Sequence, residues 1–180
     1  MRRYDHLSPY FQILKHAQFT HSGVSLQQIK QLAFETNISF PASWIEWLQE
    51  VNGAFLGEQY LLGLTSNALL DFQQLWHRFP NWKSKKYIPV CGDGFGNFYV
   101  ICTQQEYGQG FPIGFMDHEK GMDVPDFLVA SCFEVFVELL VRKEVNRHFP
   151  WPFDENTVRE WDPDLLTFEG ASLPWQEGSN

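Results

Sequence analysis

The sequence predicts an α+β fold, with a central, mostly antiparallel sheet flanked by helices. Three observations predict it. Two segments near the start, from Ser25 and from Pro41, carry apolar residues at helical period and end on asparagines. The middle of the chain, from Tyr87 to Asp117, holds β-branched and aromatic runs separated by glycine-rich turns. A last helical pattern opens at Ser131. Strands that follow one another through short turns pair antiparallel, because a parallel pair needs a long crossover.

The first helix has its start written in Ser25 and Gln28, at capping-box spacing, where each side chain can satisfy an orphan backbone N–H. Leu26, Ile29, Leu32 and Ala33 supply an apolar face, and Asn37 is a residue that tolerates the left-handed conformation of a helix stop. In Phe40-Pro41 the proline suits a first helical turn, where its missing N–H would have had no partner. Trp44, Leu48 and Val51 share a face of this second helix, and Asn52-Gly53 ends it. The short connection predicts a packed helical hairpin. Tyr60 to Leu64 reads as a strand, and Ser66 to Phe79 as a helix with Leu69, Phe72, Trp76 and Phe79 on one side and Pro80 as its stop.

Tyr87–Cys91 and Phe98–Thr103 read as a hairpin closed by Gly92-Asp93-Gly94-Phe95-Gly96-Asn97. A turn at 108–110 leads to a third strand, Phe111 to Asp117. In the last helix Ser131 and Glu134 have capping-box spacing, while Phe133, Phe136, Val137 and Leu140 face the core. Arg142, Lys143 and Arg147 sit near its C-terminus, where the helix dipole favours cations. From His148 to Asn180 there are seven acidic residues against Arg159, with three tryptophans and four prolines. The aromatic content favours docking of this tail on the domain over free disorder. The organisation read from the sequence is an N-terminal helical extension (1–21), a core domain (22–147) and an acidic, aromatic and Pro-rich C-terminal extension (148–180).

With 180 residues, 44% hydrophobic and 17% aromatic, the chain has material for a packed core without staples. No apolar run follows Arg2 and Arg3, and none approaches the ~20 residues of a membrane helix, so a cytoplasmic protein is expected. Cys91, Cys102 and Cys132 lack metal-ligand or disulfide spacing and read as reduced, largely buried thiols. A net charge of −9 repels a phosphate backbone and suits a basic protein partner.

The order of these motifs is similar to that of the SUKH superfamily, which includes the Smi/Knr cell-wall synthesis regulators. The resemblance runs through the capped helix Ser25 to Thr36, Phe40-Pro41, Trp44 to Val51 and Asn52-Gly53. It continues through Trp82, Ile88-Pro89, the turn Asp93 to Asn97, Phe98-Tyr99, Asp117-His118-Glu119 and the helix Ser131 to Leu140. About two-thirds of the chain, Val24 to Val141, is covered. The resemblance implies an α+β fold without a catalytic centre. It also implies one of two roles: a bacterial immunity protein that neutralises a polymorphic or contact-dependent toxin, often a nuclease, or a regulator or scaffold of cell-wall synthesis.

Sharper chemical readings fare worse on the residues. The turn Asp93 to Asn97 lacks the further acidic ligands of a calcium loop. Asp117-His118-Glu119 with Asp123 would not converge on one ion, since neighbours on a strand point to opposite faces. Cys132 lies at a helix start without a recognisable base, and Gly92-x-Gly94-x-Gly96 joins two strands and opens no helix. The expectation is therefore a binding protein that is not an enzyme, with no cofactor, metal, nucleic acid or membrane, and the resemblance implies a basic toxin domain as its partner. Glu58, Asp93 and Glu119 are the candidate partner contacts, as exposed acids near the turns; Trp82 reads as either a contact or core.

Overall fold

The computed structural model describes residues 4, 18–19, 23–146, 148 and 154–176. Its centre is a seven-stranded antiparallel sheet in which every strand pairs with its neighbours in the chain. The strands are β1 (Gln18–Phe19), β2 (Ala54–Leu56), β3 (Gln59–Leu61), β4 (Tyr87–Gly92), β5 (Phe98–Cys102), β6 (Ile113–Met116) and β7 (Phe127–Ala130). Helices α1 (Leu26–Thr36), α2 (Ala42–Glu50), α3 (Phe72–Arg78), α4 (Pro80–Ser84), α5 (Phe133–Val145) and α6 (Glu155–Trp161) flank it. The fold is the expected α+β arrangement.

The capping box at Ser25 and Gln28 is formed, and Asn37 ends α1 at φ 52°. The hairpin of α1 and α2 closes tightly: Val24 N–H donates to Leu48 O at 2.8 Å. Gly23 leaves no room for a side chain, since a Cβ would lie 1.7 Å from Gln49 O. Trp44 and Trp47 of α2 are buried and meet Phe133 edge-on at 4.8 and 5.8 Å between centroids. Tyr4 closes this cluster, its hydroxyl donating to Ser43 O at 2.8 Å. Gln18–Phe19 pair with β2, and the helical reading of the rest of 1–21 lies outside the described residues, Tyr4 excepted.

Helix 66–79 is shorter than the periodicity implied. Residues 67–70 form a turn in which Asn67 Oδ1 accepts the Leu69 N–H at 3.1 Å, and Asp71 caps α3 at Phe72. Leu69 is consequently 73% exposed. Pro80 ends α3 by starting α4, occupying its first turn after Phe79 breaks the helical path. Trp82 is core: it is buried, stacks on Phe79 at 4.4 Å and donates from Nε1 to Met122 O at 2.6 Å.

Strands β4 and β5 are buried along their whole length because both faces are covered. Phe98 packs under Phe79 and Trp82, while Tyr99 faces Phe136 of α5. A register shift at Pro89–Cys91 lets a proline sit in a central strand. The third strand is trimmed to Ile113–Met116, and β1, β2 and β7 were not expected as strands.

The capping box at Ser131 does not form. Cys132 is the N-cap of α5 without a side-chain bond, and the Ser131 N–H donates instead to Asp162 Oδ2 at 2.7 Å. Arg147 lies outside the described residues. Residues 154–176 pack on the domain. Val158 and Leu165 are buried in the common core, Arg142 lies 4.2 Å over the Trp161 ring, and Leu128 N–H donates to Ser172 O at 3.0 Å. That last bond takes up an outward-facing donor of β7.

Candidate functional site

In a meander, successive connections alternate between the two ends of the sheet. The turns β2–β3 (57–58) and β4–β5 (92–97) and the start of the β6–β7 loop (117–119) therefore share one end. They touch there. A Cβ on Gly94 would lie 2.9 Å from Glu58 O, and one on Gly96 would lie 3.4 Å from the His118 ring. His118 N–H donates to Asn97 Oδ1 at 3.0 Å.

Asp93 organises this rim from inside. Its Oδ1 accepts the N–H groups of Phe95 (2.8 Å) and Asn97 (3.1 Å), and Oδ2 accepts from Asn97 Nδ2 at 2.7 Å. Both oxygens are thus engaged and the residue is only 8% exposed. Asp93 was expected as an exposed acid; it is a buried one that holds the turn. Gly94 (φ 82°) and Gly96 (φ 107°) adopt backbone conformations that side chains resist.

Glu58 and Glu119 are exposed, as expected. Asp117 receives the Glu119 N–H on Oδ1 at 2.9 Å, and its own N–H donates to Asp126 Oδ2 at 2.8 Å. Phe95 stands at the crest of the rim and is 69% exposed. Reading the segment only as turn chemistry passed over this ring. A signal for it existed: a side chain at a hairpin tip has no cross-strand neighbour to cover it. Beside the rim, Gly57, Glu58, Lys143 and Glu144 line a cavity of about 290 Å³, with Lys143 Nζ 2.6 Å from Glu144 Oε1.

A second concavity, of about 710 Å³, lies where the β5–β6 loop meets the tail, lined by Glu106, Tyr107, Thr167 and Glu169 among others. Burial raises the Glu106 carboxyl, opposed by a hydrogen bond from Tyr87 and by Lys85. The Tyr87 and Tyr107 phenols are pushed well above their ordinary value, chiefly by burial, and remain protonated through the neutral range. These groups are hydrogen-bond donors there, not bases. Burial also raises the thiols of Cys91, Cys102 and Cys132, the reverse of what a nucleophilic cysteine needs. Among the described residues no three His, Cys, Asp or Glu side chains are grouped to hold a metal ion, and no helix is long and apolar enough to cross a membrane.

No curated protein matches the chain. The family described as SMI1 / KNR4 family (SUKH-1) matches residues 23–139, well over half of the 180 residues. The matched stretch begins at the glycine packed on α2, takes in strands β2 to β7 and all three turns of the rim, and ends within α5. On that match and on the α+β architecture, the chain belongs to the SMI1 / KNR4 family (SUKH-1).

Proposed function

We propose that the chain is a non-enzymatic, cytoplasmic immunity-type protein that binds and neutralises a basic toxin domain, of nuclease type. The observation that carries this reading is the rim: exposed acids Glu58 and Glu119 beside an exposed aromatic ring, on turns braced from within, in a chain of net charge −9. Complementary charge speeds encounter with a basic partner and penalises wrong ones. Three free cysteines suit a reducing compartment.

The test is to look for a toxin gene immediately upstream of this gene and to co-express the toxin domain it encodes. Rescue of growth and a purified complex are expected. Glu58→Ala and Glu119→Ala are each expected to slow association about two- to fivefold at low salt, the difference shrinking as salt screens the field. A purified pair that does not bind removes the immunity reading. Recovery of envelope-synthesis proteins in place of a toxin selects a regulatory or scaffold role.

A further inference from the structure

We infer that Phe95 is the anchor of the rim, and that its occupant is a protein surface with an apolar pocket ringed by lysine or arginine. The inference rests on the protein-binding reading and names the contact that would carry it.

Among the described residues six large apolar side chains are exposed, and Phe34 (83%), Leu69 (73%) and Phe95 (69%) are the most so. They differ in what surrounds them. Phe34 projects from α1 between Lys30 and Glu35, neighbours of opposite charge. Leu69 sits in the turn before α3 with Asn67. Phe95 stands on a turn that touches two others, which carry Glu58, Asp117 and Glu119, a collar rich in acids with His118 among them.

The ring is also pre-positioned. Its own N–H is held by Asp93, Asp93 holds Asn97, and Asn97 accepts the N–H of His118 on the next loop. Glycines on either side permit the positive φ that this path requires. An aromatic side chain has few torsions to freeze, and a turn already ordered adds little to the entropy lost on docking. A buried aromatic at the centre of an interface, with polar neighbours at its edge, is how binding energy is ordinarily concentrated. The collar sets the chemistry of the partner. An acidic or neutral surface would bring like charge onto the carboxylates or bury them unpaired, whereas lysine and arginine pair them.

The test is photo-crosslinking in the cell that makes the protein, using full-length chain with benzoylphenylalanine in place of Phe95, Phe34 or Leu69. Position 95 is expected to give the dominant adduct, on a peptide bearing lysine or arginine beside an apolar residue. Adding Glu58→Lys with Glu119→Lys is expected to cut its yield at least fivefold. With the captured protein purified, Phe95→Ala is expected to weaken binding tenfold or more while circular dichroism remains unchanged. No adduct from position 95, an adduct on a second copy of this chain, or an adduct on a peptide without basic residues overturns the inference. Adducts from 34 or 69 alone overturn the anchor and leave the protein-binding reading standing. A basic adduct at 95 from a protein that is not a toxin upholds the anchor and removes the immunity reading.

Discussion

Asn52 shows how much one side chain can hold. It is buried, sits in the left-handed region at φ 53°, and reaches across to Leu64, donating from Nδ2 to its carbonyl (3.0 Å) and accepting its N–H on Oδ1 (2.8 Å). The end of α2 is thereby clamped to the segment leaving β3. Asn52→Ala strands both backbone groups of Leu64, and each unmade bond of this kind costs about 1–3 kcal/mol. A loss of about 2–4 kcal/mol is expected, read as a lower urea midpoint with unchanged m-value. Asn52-Gly53 was legible as a turn because turn chemistry is local. The clamp was not, since its partner lies twelve residues on. Asp93 repeats the lesson: its place in a turn could be read from neighbouring glycines, whereas its burial depends on Asn97 and on adjoining loops.

Among the elements, α5 and the tail make the clearest case. Asp162, buried at the end of α6, receives the Ser131 N–H, and burial raises its carboxyl above the ordinary aspartate value. A group with a raised folded-state pKa contributes stability that is full below its unfolded value, about 3.9, and is lost as pH rises through the folded one. Asp162→Asn keeps a carbonyl acceptor for Ser131 and removes the titration. The unfolding free energy of the natural protein minus that of Asp162→Asn is therefore expected to be larger at pH 4 than at pH 7. Chemical denaturation at both values measures it, and a difference independent of pH contradicts the burial assigned to Asp162. The contrast with α1 explains what could be read. Ser25 and Gln28 satisfy each other within one turn, so their spacing sufficed. Ser131 had the same spacing to Glu134, but a carboxylate from 31 residues away took its N–H. Strands β1, β2 and β7, two to four residues long, escaped notice because their partners define them more than their composition does, whereas β3, equally short, lies in an apolar run flanked by glycines.

At the scale of the whole molecule, the described residues share one core. Buried side chains from Tyr4 through α2, the sheet and α5 to Val158 and Leu165 of the tail form one contiguous cluster. Loss of far-UV ellipticity and the change in tryptophan emission on heating are accordingly expected to coincide, with Trp44, Trp47 and Trp82 reporting the centre and Trp161 and Trp175 the tail. An earlier, separate transition in Trp161 emission contradicts this unity. Class and the meander of β4, β5 and β6 were legible at this scale because those strands were announced by glycine turns. The closure by the tail was legible only as a tendency of its aromatics to dock, since the buried sites they fill are built by other parts of the chain.

The sequential strand order has a consequence for synthesis. Each strand can pair as soon as its predecessor has left the ribosome, so the sheet grows from β1 toward β7. The N–H of Leu128 in β7, however, finds its acceptor only at Ser172. At ~5–20 residues per second, the forty-odd residues between them take roughly 2–9 s to translate. For that interval the last strand is an open edge able to recruit another nascent chain, which makes the closing stretch of the chain a guard against aggregation as well as part of the finished fold.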